Sequence, residues 1–501
     1  MDKFLQVVTD VNGAINNVVW GVPMLALLIG TGLLISILTG FFQFRKFGYV
    51  WSHTIGGIFK KKELRESKDK KAISQFQSLC TALSATIGTG NITGVAVAIM
   101  MGGPGAVFWM WIAAILGMMT HYAEVVLGIY YRRRNKDGEW SGGAMYYLKD
   151  GLGSAKIGKY VGPVLAVLFS FFAIFASFGI GNMMQFRSIT ESISAVTQSA
   201  DQQTVSIVVG IIVIVLAGLV ILGGIKRIAT TNEKLVPFMA IFYIIGSVII
   251  LVMNAAQIGP AFASIFKGAF NFNAAAGGTI GGAYIIQSMI WGFKRGVFSN
   301  EAGLGSSATA HSASNVKEPV EQGLWGIFEV FTDTIIVCTC TALVVLTSGV
   351  IDLSASIPDK ANGLALASHA FTNSFGAFGG IFISIAIFLF AFSTILGWSY
   401  YGVKAWEYIF GTKSTVVYKI IFLAMIIVGV VMDASLVIDI SDTFNALMAI
   451  PNLIGVICLS GLVIKITKNY TRRRIRKSAP DEKPMYSYDE AIQKEIEARE
   501  D

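Results

Sequence analysis

Gly88-Thr89-Gly90-Asn91 lies in the middle of SQFQSLCTALSATIGTGNITGVAVAIMMGG, an apolar stretch long enough to cross a bilayer. Two glycines flank a hydroxyl residue and an amide follows at once. A helix with this sequence can unwind at mid-membrane. Each bared N–H and C=O is then costly unless it lines a cavity or binds something. Bared amides at a helix N-terminus suit a carboxylate, and bared carbonyls suit a cation. The same residues also suit a close helix contact, since Gly90 and Gly94 stand four apart. The sequence leaves both readings open. A second stretch, GGAYIIQSMIWGFKRGVFSNEAGLGSSATAHSAS, is broken up by Gly292, Gly296, Gly303 and Gly305. Within it Lys294 and Arg295 are placed for a gate or for a pair with a carboxylate.

Other chemistries find no support in the spacing. His53, His121, His311 and His369 show no ligand spacing with cysteines or carboxylates, so no transition-metal site and no cofactor are expected. Cys80, Cys338, Cys340 and Cys458 fall within hydrophobic segments and read as small packing residues. Ser306 and Ser307 follow Gly305 without a preceding strand, so they make no nucleophile elbow. A membrane enzyme lacks its nucleophile here, and a channel lacks its pore ring or selectivity loop.

The elements that carry these residues are membrane spans. Of 501 residues 54% are hydrophobic and 14% charged, against roughly 25% charged in soluble domains. The formal charge of +8 is gathered in short blocks between apolar runs, which argues against a nucleic-acid surface. About eleven spans begin near residues 21, 73, 104, 158, 204, 235, 279, 320, 376, 414 and 438. Basic residues fill every second loop: Arg45 to Lys71 after the first span, Arg132 to Arg134 after the third, Lys226 and Arg227 after the fifth, Lys404 and Lys413 after the ninth, and TRRRIRK after the last. The intervening loops carry almost none, and Asp433 and Asp439 precede the last span. Retention of lysine and arginine in the cytoplasm then gives an N-out, C-in chain.

Residues 1–20 lack a signal peptide's basic start and cleavage site and are expected as a surface helix. The additional first span covers 21–42, and residues 468–501 form a cytoplasmic tail, partly helical at most and without assigned chemistry. The two interruptions stand five spans apart. They divide the rest into five-helix halves, 73–257 and 279–467, and an odd number of spans makes the halves inverted relative to each other.

Three stretches carry a family resemblance: GTGNITGVAVAI at Gly88 to Ile99, GGPGAVFWMWIAAILG at Gly102 to Gly117, and WGFKRGVFSNEAGLGSSA at Trp291 to Ala308. With them the chain resembles the alanine or glycine:cation symporters, also called sodium:alanine symporters, over roughly residues 15 to 465. The resemblance implies an all-α polytopic protein of the cell membrane, bacterial in type, with a LeuT-like 5+5 inverted repeat and one additional N-terminal transmembrane helix. It implies uptake of L-alanine, D-alanine or glycine coupled to Na+, with no cofactor and no obligatory protein partner. Related transporters use H+, and Glu124 in MMTHYAEVVLG is a buried carboxyl for that alternative or else a fixed pair to another helix. Glu301, Glu329 and Asp333 carry the same ambiguity.

On this resemblance the amino acid carboxylate is expected at the backbone amides of Gly88, Thr89 and Gly90. Asn182 and Gln185, at i and i+3, offer amide oxygens to the ammonium group or else bond a neighbouring helix. Trp291 and Phe293 wall a small pocket or simply pack. The resemblance to LeuT-like proteins implies a sodium site from the hydroxyls of Ser393 and Thr394 with the carbonyls of Ser84, Ile87 and Phe390. Such paired hydroxyls also back-bond to their own helix. Thr86 and Asn91 occupy positions that hold a second sodium in some relatives.

Overall fold

The structure is a computed structural model and describes residues 2–153, 158–197, 201–270, 280–350, 363–431 and 434–499. Asp433 and the expected start of the seventh span at residue 279 lie outside the described residues. Among the described residues the chain is all-α apart from a two-residue hairpin that pairs Arg133–Arg134 with Trp140–Ser141 and an isolated bridge between Ile73 and Ser314.

The N-terminus forms α1 (Asp2–Val19) and α2 (Val22–Leu38). The interrupted span forms α3 (Gln75–Thr86) and α4 (Thr93–Gly102), and α5 (Gly105–Tyr130) follows it. The first half continues through α6 (Gly158–Phe178), α7 (Met184–Thr197), α8 (Gln202–Ile221) and α9 (Gly224–Met253). The second half contains α10 (Ile280–Asn300), α11 (Ala308–Ser312), α12 (Pro319–Val330), α13 (Thr339–Thr347), α14 (Ala377–Phe410), α15 (Thr415–Val431), α16 (Ala434–Cys458) and α17 (Ser460–Tyr470). Among the described residues, nine helices are long and apolar enough to cross a membrane, or ten when the bent pair α3 and α4 counts as one. The span expected from residue 414 is present as α15, whereas α10 is not among those ten.

Burial separates a scaffold from its periphery. The apolar stretch of α5 is 83% buried, with α2, α10 and α12 packed along it. The corresponding stretches of α8 and α15 are only 28% and 22% buried and pair with each other at the rim, where bare Ile, Val and Leu side chains suit lipid. α1 leans on α16 through Asn16, whose amide donates to Asp439 O at 3.3 Å and to Thr443 Oγ1 at 3.1 Å, and Trp20 Nε1 donates to Asp442 O at 3.0 Å.

The expected break in the second span is present. α3 starts on a capping box, in which Ser74 Oγ accepts from Gln77 N and Gln77 Oε1 accepts from Ser74 N, both at 3.1 Å. It ends at Thr86, Ile87 leaves the helical region with ψ at 87°, and Gly88 is extended. After a single tight turn at Thr89–Asn91 the chain resumes as α4, bent by 58° from α3.

The second break differs from the sequence expectation. Gly292 and Gly296 sit inside the unbroken helix α10, where they let it press against α5. A Cβ on Gly292 would lie 2.5 Å from Ala106 O, a distance only glycine permits. The chain leaves the helix at Glu301, and positive φ at Glu301 (56°), Gly303 (97°) and Gly305 (74°) carries it to α11. Gly303 and Gly305 are therefore turn glycines, and Gly292 and Gly296 are packing glycines.

Candidate functional site

The unwound stretch between α3 and α4 is buried, with Thr89 and Asn91 at 0% exposure, so its polar groups must find partners inside the protein. The Asn91 side chain supplies one, as Asn91 Oδ1 accepts from Gly88 N at 2.9 Å. Gln185 on α7 supplies another, since its Oε1 accepts from Thr89 Oγ1 at 2.9 Å and from Thr89 N at 3.4 Å. Thr341 on α13 donates to Asn91 O at 2.7 Å. The positive end of α4 and the negative end of α3 meet across this stretch. A zwitterion and a cation can therefore share it.

Close approach explains both glycines. A Cβ on Gly88 would stand 2.5 Å from Thr394 Oγ1, and one on Gly90 would stand 3.2 Å from the ring of Phe298. Thr394 makes the first of these contacts, next to Ser393, the other hydroxyl expected for a cation. Ser393 Oγ donates to Phe390 O at 2.8 Å and reaches Ser84 O at 3.4 Å, while Thr394 Oγ1 donates to Phe390 O at 2.9 Å. Ser84 O, Phe390 O and the two hydroxyls thus lie together between α3 and α14, with Thr394 Oγ1 against Gly88 and both hydroxyls bonded back to their own helix. Ile87 is fully buried as the C-cap of α3. Thr86 Oγ1 turns back toward Ala82 O and Leu83 O at 3.5 and 3.4 Å, away from any shared cluster.

Asp333, which the sequence left ambiguous, sits at the heart of the site. Its Oδ1 accepts from Asn91 Nδ2 at 2.6 Å, and its Oδ2 accepts from Ser299 Oγ and Thr334 Oγ1, each at 2.8 Å. It projects from a π-helical segment, Phe331–Cys338, that joins α12 to α13. Such wide turns shift side-chain directions off the 3.6-residue rhythm. The same effect separates Asn182 from Gln185. A second π-helical segment, Gly179–Met183, links α6 to α7, so i and i+3 no longer share one face. Gln185 faces Thr89, whereas Asn182 Nδ2 donates to Phe422 O on α15.

The aromatic expectations also divide. Phe293 is 2% exposed in a cluster with Leu25 and Ala113, and Trp291 packs beside Gly102. It is Phe298, two turns further along α10 than Trp291, that faces Gly90. Lys294 and Arg295 meet the carboxylate partner the sequence called for: Lys294 Nζ lies 2.8 Å and Arg295 Nη2 3.7 Å from Asp442 Oδ2 on α16. Arg295 also stacks 5.2 Å from the centre of the Phe298 ring, which ties this pair to the site wall.

Glu124 has fixed partners in His121 Nδ1 at 3.1 Å and in Asn452 Nδ2. His121, His311 and Glu329 approach one another within 4.8 Å, a grouping that sequence spacing missed because three separate elements supply it. Such a set has the donor types of a metal site. Here the ring nitrogens are already engaged, by Glu124, Glu329 and Ser307 around His121 and by Glu329 and Gln322 around His311. A partly open pocket of about 100 Å³ lies between α7 and α14, lined by Glu191 and Ser192 of α7 and by Ile383 and Ile387 of α14.

Comparison with known proteins decides the class. The family model described as "Sodium:alanine symporter family" matches residues 5–484. The chain belongs to this family. It is 44% identical over 460 residues to the sodium/alanine symporter AgcS of Methanococcus maripaludis, covering 92% of this chain and 96% of that one. It is 35% identical over 470 residues to the probable sodium/glutamine symporter GlnT of Bacillus subtilis, with 94% and 92% covered. Among solved structures, MhsT in complex with L-phenylalanine matches with a TM-score of 0.52 at 13% identity, over 80% of this chain and 99% of MhsT, which shows the fold alone. The family membership makes the chain a multi-pass transporter of the cell membrane that performs amino acid symport, and not an enzyme. The LeuT-like fold expected from the sequence is the fold found.

Proposed function

We propose that this symporter carries a small neutral amino acid, L-alanine, D-alanine or glycine, together with Na+, by alternating access around the broken helix. The observation that carries this reading is the grouping of Ser84 O, Phe390 O, Ser393 Oγ and Thr394 Oγ1 between α3 and α14, with Thr394 Oγ1 against Gly88, one residue from the amide of Thr89. The oxygen cluster takes the cation, and the unwound amides with Gln185 and Asn91 take the zwitterion. Phe298, tight against Gly90, limits the side chain to a small one. Thr394 of the ion cluster touches Gly88, and the amino acid takes the amides that follow, so filling one site orders the other. This reading places the N-terminus outside and the C-terminus in the cytoplasm, with residues 73–257 and 279–467 as the two inverted halves.

Identity is higher to AgcS, named a sodium/alanine symporter, than to GlnT, named a probable sodium/glutamine symporter, at 44% against 35%, and this supports alanine over glutamine as the cargo here. H+ coupling through Glu124 is the second reading, and it is the weaker because Glu124 is held by His121 and Asn452 rather than by the unwound stretch. A counterflow panel of labelled small amino acids in proteoliposomes, with and without Na+, tests the proposal. Exchange of alanine or glycine only in Na+ supports it, and exchange that ignores Na+ but follows pH removes the Na+ assignment.

A further inference from the structure

The side of the molecule where α3 begins is closed by a seam. Ile73 N donates to Ala313 O at 3.1 Å, Asn315 N donates to Ile73 O at 2.8 Å, and Ser78 Oγ donates to Ala310 O at 3.0 Å. The segment before α3 is thereby sewn to α11 and the loop after it. Arg132, 1% exposed at the end of α5, adds a staple from beneath: its guanidinium donates to the carbonyls of Ser312, Ser314 and Val316 and stacks 4.2 Å from the centre of the Trp140 ring.

The C-terminal segment lies across this seam. Tyr488 N donates to Tyr130 O at 3.0 Å, and Asp489 caps the helix Glu490–Glu497, here α18, by accepting from Ala491 N and Ile492 N. Ile492 and Ile496 of α18 bury against Ala72, Trp140 and Tyr486. Charged groups then reach every edge. Glu495 and Asp69 both pair with Arg134, at 3.0 and 2.7 Å, and Lys317 Nζ donates to Arg499 O. One short amphipathic helix thus holds the approach to α3, the hairpin after α5 and the loop before α12 at the same time.

We propose that α18 is a strap of the inner gate, and that Arg134, Glu495 and Ile496 are gating residues of the transport cycle. The proposal deepens the symport reading above and rests on it for the orientation. Release of cargo on this side requires α3 to part from α11, which breaks the Ile73 to Ser314 seam. A strap anchored on both sides must let go, or stretch, before the seam opens. The tail therefore biases the transporter toward the state closed on its own side and sets how often that side opens. The two charges of the Arg134 to Glu495 pair are 25% and 41% exposed, so salt weakens this part of the strap while the isoleucine contact persists.

The test is carried out on the full chain with Ser78→Cys, because Ser78 faces Ala310 across the seam. Inside-out vesicles are treated with a membrane-impermeant thiol reagent, and peptide mass spectrometry reads modification at position 78, with the native cysteines as internal references. Ile496→Asp is expected to raise the rate roughly ten-fold or more, as the removal of one buried isoleucine contact implies, while Ile496→Val leaves it near the parent value. Glu495→Lys changes an exposed residue that does not threaten folding, and it is expected to raise the rate less. Equal rates for all of these overturn the strap. The assay needs neither amino acid nor Na+. Unchanged labelling with normal Na+-driven alanine uptake thus removes the strap alone, and raised labelling without such uptake supports the strap while removing the symport reading.

Discussion

Gly88→Ala perturbs the point where Thr394 of the proposed cation cluster touches the unwound backbone. Its Cβ would meet Thr394 Oγ1 at 2.5 Å, with Gln185 Oε1 and Thr394 Cβ both at 3.5 Å. Ordinary contact begins at 3.4 Å, so the hydroxyl must retreat by roughly 0.9 Å. Thr394 sits in α14 with its hydroxyl bonded to Phe390 O, which leaves little freedom for that retreat. Overpacking of this kind costs about 1–3 kcal/mol. A loss of that size at the cation site raises the Na+ concentration for half-maximal uptake by roughly 5- to 150-fold. The assay is labelled alanine uptake into proteoliposomes titrated with Na+ at constant ionic strength. A variant that transports with the parent Na+ requirement refutes the placement of the cation beside Gly88.

Ser393→Ala and Thr394→Ala are each expected to raise the Na+ requirement about ten-fold with a smaller change in maximal rate, read from the same titration. Asp333→Ala leaves Asn91, Ser299 and Thr334 without their shared acceptor, and about 1–3 kcal/mol per unmet buried donor predicts at least a ten-fold loss of alanine binding in a scintillation proximity assay. His121→Phe leaves Glu124 and Glu329 without a shared donor, and the expected cost of about 3–5 kcal/mol shows as a lower melting temperature in detergent. At the tail, burial opposes ionisation of Asp69 and Glu495, but Arg134 and Arg499 outweigh it and hold both carboxyls below their ordinary values of 3.8 and 4.5. Their contribution to docking is complete above those values and is lost as pH falls below them. A fluorophore on the tail read against Trp140 should therefore report undocking only in acid.

The sequence made the spans and the first break legible, because a polar Gly-Thr-Gly-Asn run inside hydrocarbon demands use. The grouping of Ser84, Ser393 and Thr394 came from the family resemblance and not from spacing, and the structure sets Ser393 Oγ 3.4 Å from Ser84 O. The failures have distinct physical causes. Gln185 and Asn182 diverge, and Asp333 reaches Asn91, through the π-helical segments Gly179–Met183 and Phe331–Cys338, and no propensity in the sequence announces those wide turns. Gly292 and Gly303 look alike in sequence, and only the neighbour across α5 distinguishes a packing glycine from a turn glycine. His121, His311 and Glu329 meet across 208 residues of separation between His121 and Glu329, which local spacing rules do not span. The tail was expected to be idle, yet the alternation of Ile492 and Ile496 with charged residues already described a helix with one face to bury.

Amino acid and Na+ bound side by side at the unwound stretch must cross together, so the two fluxes are measured at once. Proteoliposomes receive labelled alanine and ²²Na+ together, with and without the other species, in the parent and in Thr394→Ala. Each is expected to stimulate uptake of the other, and the substitution to raise the Na+ needed for both. Alanine entry that proceeds equally without Na+, or ²²Na+ entry indifferent to alanine, contradicts this coupling.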